Sequence, residues 1–167
     1  MNDKYRMYGL VPYNLSPIQQ GIQFGHAVVE YSLASVKMRE RKYSYWAKNC
    51  KTFIILNGGT TNWDWFHRPK SNDERLGTLN KHLITLNEMD ITVATFSEPD
   101  LGDQLTAIVF LVKEEVYNRE KYPDPPECFK IIQGTEFDYY KKKTFGSIKE
   151  ADKVLRMREF LSQFRLA

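Results

Sequence analysis

Gln19, Gln23, His26 and Glu30 recur at steps of four, three and four in the segment LSPIQQGIQFGHAVVEYS. At 100° per residue they fall within about 60° of one another on a helix. Such a stripe offers amide donors and acceptors, one carboxylate and one ring that titrates near neutrality. That equipment suits a site that moves a proton or holds a polar ligand, and it equally suits a solvated helix face. Gly21 and Gly25 fall on another row of the same helix, with Val28. Glycine inside a helix costs about 1 kcal/mol relative to alanine, so two of them four residues apart point to close approach by another backbone or a ligand.

The stripe needs a helix, and the helix needs a rigid base. Ser16 reads as its N-cap, with Pro17 at the first helical position and Gln19 completing a capping box. The pattern predicts a helix to about Met38, with RERKYSYWAKN adding a turn or two. Lys4 to Val11 suits a strand that stops at Pro12. Thr52 to Leu56 suits a buried strand ending at Asn57-Gly58-Gly59. Ser71 and Glu74 form a second capping box, opening a helix with Leu76, Leu79, Leu83 and Leu86 on one side. Ile91 to Phe96 and Thr106 to Val112 are the third and fourth strands, joined through the turn Glu98-Pro-Asp-Leu-Gly102. YPDPPE is a turn-rich junction and FKII a short strand. Ser147 with Glu150 caps a last helix reaching about Arg165.

This order predicts an α/β fold with three layers, α/β/α, around a four-stranded mixed sheet. The first strands should be parallel and the last two antiparallel. Residues 1–115 would form this domain. Residues 116–167 would be a C-terminal extension packed on it and ending in a helix.

The chain has 167 residues, 42% hydrophobic and 27% charged, which suits one globular core rather than disorder. A net charge of +3 permits contact with nucleic acid without requiring it. Cys50 and Cys128 are too few for a disulfide framework or a thiolate metal site, and His26, His67 and His82 lack ligand spacing. No metal or cofactor is expected. The N-terminus lacks the apolar run of a signal peptide and no segment is long enough to span a bilayer, so a cytoplasmic setting without membrane contact is expected. Trp63 and Trp65, interleaved with basic groups in NWDWFHRPK, would either stack on bases or seal the core edge, packing being the commoner use of aromatics. Lys141, Lys142 and Lys143 would grip phosphates or simply be solvated.

Gln23-Phe-Gly-His-Ala27, taken with Asp100-Leu-Gly102 leading into Thr106-Ala-Ile-Val, resembles the type 2 peptidyl-tRNA hydrolases and similar small phage proteins. The likeness spans about residues 4 to 113. It places Gln23 and His26 on the family's glutamine and histidine. The family's lysine near the helix start falls on Gln19, and its hydroxyl residue after the turn falls near Gln104, with Thr106 able to supply a hydroxyl instead. The resemblance implies hydrolysis of the ester joining a peptide to the ribose at a tRNA 3′ end. His26 would be general base or proton shuttle, oriented by Asp100, while Gln19, Gln23, Gln104 and Thr106 hold the ester or the oxyanion. tRNA or peptidyl-tRNA is the implied partner, and a homodimer is compatible with this reading. The alternative is a non-catalytic relative that binds RNA, a nucleotide or a protein.

Overall fold

A computed structural model describes residues 4–38, 40–61, 77–126 and 134–167. The chain divides into two compact units, Lys4–Leu111 with Phe164–Ala167, and Val112–Gln163. The first is mixed α/β. Its elements are β1 (Tyr5–Pro12), α1 (Pro17–Lys37), α2 (Arg41–Asn49), β2 (Phe53–Gly59), α3 (Thr78–Glu88), β3 (Val93–Glu98), a 3₁₀ turn (Pro99–Leu101) and β4 (Gln104–Lys113), the last running into the second unit. The four strands form one sheet in the order β2-β1-β4-β3, with β1 parallel to β2 and β3 antiparallel to β4. Both relations are those the sequence predicts.

Strand β1 is buried on both faces, as a central strand must be. Successive side chains point to opposite faces. Tyr5, Met7 and Val11 join Phe24, Ala27 and Tyr31 of α1 and Trp46 of α2 in one apolar core. Gly9 faces the same way, and a Cβ there would collide with the Phe24 ring, so the missing side chain lets that ring lie on the strand. On the other face a Cβ on Gly58 would run into Leu79 of α3 and press on Leu10, so the glycine lets α3 come close to the sheet. The sheet therefore separates α1 and α2 from α3.

The helix starts divide by what caps them. Ser16 and Gln19 make the full capping box of α1. The segment after Met38 is not an extension of α1 but a separate helix: Glu40 is extended, and the redirected α2 brings Trp46 into the core. For the leucine-bearing helix, Ser71, Glu74 and Leu76 lie outside the described residues. Gly77 is extended, so the helix that buries Leu79 and Leu86 starts at Thr78. Its start is tied to the end of β2: the Thr60 amide donates to Thr78 Oγ1 at 2.7 Å and the Leu79 amide to the Thr60 carbonyl at 2.9 Å. The chain's last residues return to this unit. Asn57 N–H donates to the Arg165 carbonyl and Ala167 N–H to the Ile55 carbonyl, an antiparallel addition to β2. His82 meets the Phe164 ring edge-on at 4.7 Å.

The second unit contains α4 (Glu114–Tyr117), α5 (Thr135–Phe145) and α6 (Ile148–Ser162). Ser147 caps α6 through the Glu150 amide, as its sequence predicts, and the helix ends at Ser162 rather than Arg165. The YYKKK stretch, not predicted to be regular, lies in α5, which ends at Gly146 in the left-handed region. The expected FKII strand lies outside the described residues. Arg158 on α6 is buried, yet its guanidinium donates to the carbonyls of Glu115, Val116 and Tyr122 and pairs with Asp124 at 2.7 Å. One side chain thus satisfies three backbone acceptors of the connector before α5. Among the described residues no helix is long and apolar enough to cross a membrane.

Two outcomes follow from these contacts. Arg158→Leu should lower unfolding free energy by about 3 kcal/mol, since three carbonyls and a carboxylate lose their donor; urea denaturation measures it, and a change within 0.5 kcal/mol would show that water replaces the guanidinium. Burial pushes the His82 pKa down, so its contribution to stability is complete above the unfolded value of about 6.5 and is lost as pH falls from there through the lowered folded value. The melting temperature of the wild type should therefore drop more between pH 7 and pH 5 than that of His82→Phe, and parallel curves would refute this.

Candidate functional site

Helix α1 buries Gln20, Gln23, Phe24, Ala27, Tyr31 and Ser35. Two of these are glutamines, and a buried amide must be paired at both ends. Gln20 Nε2 donates to the Pro12 carbonyl at 3.0 Å, fixing the helix start to the end of β1. Gln23 is placed in a longer chain of bonds. The Thr106 hydroxyl donates to Gln23 Oε1 at 2.7 Å, and Gln23 Nε2 donates to the Glu98 carboxylate at 2.6 Å. A carboxylate only accepts, and the hydroxyl hydrogen points at the amide oxygen, so the amide has one allowed orientation.

The position of Thr106 depends on an irregularity in the sheet. Phe96 pairs with Ala107 and Ser97 with Leu105, which leaves Thr106 as the extra residue of a β-bulge. Under strict alternation Thr106 and Ala107 would point to opposite faces. Ala107 belongs to the core beneath α1; the bulge turns Thr106 to that face as well, where its hydroxyl reaches Gln23 and lies 3.3 Å from the Phe96 carbonyl. Thr106 is only 1% exposed. Its hydroxyl holds Gln23.

His26 follows Gln23 by three residues on the same flank of α1. It is exposed, and its ring lies 4.4 Å from that of Phe96, the planes inclined by 54°. Among the described residues no hydrogen bond or ion pair joins it to Asp100. That carboxylate sits exposed in the Pro99–Leu101 turn, which is closed by Gly102 N–H on the Pro99 carbonyl and Asp103 N–H on the Glu98 carbonyl. The acidic group tied to α1 is Glu98, half-buried at the end of β3. Sequence reasoning passed over it because the resemblance directs attention to Asp100. Its own signal in the sequence is that it is the first carboxylate of EPDLG, at a strand end.

The remaining candidates separate. Gln19 has its side-chain oxygen on the Ser16 amide at 3.0 Å, so the cap occupies it. Gln104 opens β4, half-buried and opposite Glu98. Trp63 and Trp65 lie outside the described residues. In the second unit, Lys141 pairs with Asp152 at 2.7 Å and stacks 4.2 Å over the Phe137 ring, whereas Lys142 and Lys143 are exposed. Lys143 lines a cleft of about 450 Å³ with Glu136, Tyr139 and Tyr140. Gly21 and Gly25 correct an expectation. A Cβ at either would meet nothing within 4 Å, so no part of the described chain approaches them.

The arrangement is a buried relay of hydroxyl, amide and carboxylate beside an exposed imidazole. It can hold one polar group rigidly and exchange one proton with solvent or a ligand. Neither models of known protein families nor curated proteins show a match to the chain.

Thr106→Val keeps the side-chain shape but leaves the Gln23 oxygen unpaired, at a cost of about 1–3 kcal/mol. In a double-mutant cycle with Gln23→Leu, the two losses should be strongly non-additive. Additive losses in urea denaturation would mean that the hydroxyl and amide are not coupled.

Proposed function

We propose that the chain hydrolyses the ester of peptidyl-tRNA, releasing peptide and free tRNA. The observation that carries this reading is the exposed His26 beside an amide, Gln23, held in one orientation by Thr106 and Glu98. These residues stand where the resemblance to type 2 peptidyl-tRNA hydrolases puts the family's glutamine and histidine. His26 takes a proton from the attacking water and returns it to the ribose oxygen as the ester bond breaks. Gln23, immobile in its relay, keeps the adjoining surface set for the carbonyl rather than adjusting to it, which is how a preorganised polar site favours a developing oxyanion. Asp100, exposed on the neighbouring turn, acts on the bound substrate or on His26 once substrate is present. Lys142 and Lys143 suit contact with tRNA phosphates.

A second reading has its own support. His26 has no carboxylate holding its ring among the described residues, and Gln19, at the family's lysine position, is occupied by the helix cap. Both facts favour a relative that binds RNA without turnover.

Release of labelled N-acetyl-aminoacid from its tRNA ester separates the two. The enzyme reading expects turnover by the wild type that falls about 10²- to 10⁴-fold in His26→Ala, with a smaller loss in Asp100→Asn. Salt-sensitive tRNA binding without release would establish the second reading. Neither release nor binding would sink both.

A further inference from the structure

Helix α1 is apolar on two opposite sides. Phe24, Ala27 and Tyr31 face the sheet. At 100° per residue, Ile18, Ile22, Gly25, Val29, Leu33 and Val36 cluster roughly 180° away. The five large side chains among them are 50 to 77% exposed. A helix docked on a sheet ordinarily turns charged or polar residues outward, and one that is apolar all round is buried on both sides. We propose that this outer face is a homodimer interface, on which α1 packs antiparallel against α1 of a second copy.

The pattern itself selects a second copy. The outer positions are nearly symmetric about residue 27: Ile18 stands as far before it as Val36 stands after it, Gly25 matches Val29, and Ile22 falls within one residue of Leu33. A two-fold interface must be self-complementary in this way, because each residue meets its mirror position on the other chain. In that register Gly25 leaves room opposite Val29 of the partner subunit. This accounts for a helix glycine whose absent Cβ touches nothing within 4 Å in its own chain.

His26 and Glu30 share one flank of the stripe, and antiparallel pairing about residue 27 sets that flank against the same flank of the second copy, with His26 two positions from Glu30 of the partner subunit and equally two from His26 of the partner subunit. The exposed aliphatic surface is roughly 500 Å² per chain, hence roughly 1,000 Å² for a pair, where specific interfaces begin. A lipid surface fits less well: helices that lie on membranes carry several lysines and arginines, and α1 has only Lys37.

Analytical ultracentrifugation of the full chain, from about 1 to 100 µM, a range bracketing micromolar affinity, tests the proposal. The wild type should sediment at twice the 19.7 kDa chain mass. Ile22→Glu and Leu33→Lys, both at exposed positions, should each give a monomer with unchanged circular dichroism. Mixing these two variants should restore the dimer, because the new glutamate of one chain faces the new lysine of the other. A monomeric wild type across the range overturns the proposal. So does a dimer that neither variant dissociates, and two monomeric variants that fail to reassociate overturn the antiparallel register.

Discussion

The amide of Gln23 is the constraint on which the candidate site depends. A side chain with two donors and an acceptor cannot be buried beneath a helix unless both ends are met. Meeting them requires Thr106 on one side and Glu98 on the other. Thr106 reaches the helix only because β4 carries one residue more than β3 at that point. Without the bulge, the hydroxyl would face away from α1 and the amide oxygen would be stranded. The bulge, the strand end at Glu98 and the setting of α1 on the sheet are therefore one solution, not three. His26 sits at the rim because Gln23 is inside.

The two compact units are held by different physics. The Lys4–Leu111 unit has a continuous apolar core, in which β1 supplies both faces and Gly9 lets the Phe24 ring lie flat. The Val112–Gln163 unit has a buried arginine where a larger domain would have more apolar side chains. Arg158 draws the connector of residues 115–124 to α6 by donating to its carbonyls. A guanidinium is suited to this, since its donors lie in a fixed plane and it is never deprotonated. The returning Phe164–Ala167 segment adds main-chain bonds to β2, which lessens the exposed edge of the sheet.

Local features were legible in the sequence and registers were not. Ser16 with Pro17 and Gln19 announced α1 because a cap is decided within four residues. The parallel and antiparallel pairings were readable from the lengths of the connections. The bulge at Thr106 was not, because it is a relation between two strands and neither strand records it alone. The same reason hid Glu98: a carboxylate at a strand end means little until Gln23 is opposite it. The start of α3 at Thr78 depends on Thr60 in a different element, and α5 was obscured by the mixture of aromatics and lysines in YYKKK. Gly25 was readable as unusual, but the direction of its open side required the fold.

Those glycines bear on how the two sides of α1 divide their work. The inner side is specified residue by residue, with Gln20 Nε2 donating to the Pro12 carbonyl and both ends of the Gln23 amide met by Thr106 and Glu98. The outer side is specified only by pattern, small and branched residues at helical spacing, which is sufficient for a surface that recognises shape. His26 and Glu30 lie on the boundary between them. Among the described residues His26 meets an aromatic ring and makes no hydrogen bond, and a partner or substrate that offers an acceptor would fix its tautomer and its angle. Among the described residues, the element that the site lacks is thus a hydrogen-bond acceptor for one imidazole nitrogen. Whatever binds at this rim must bring it.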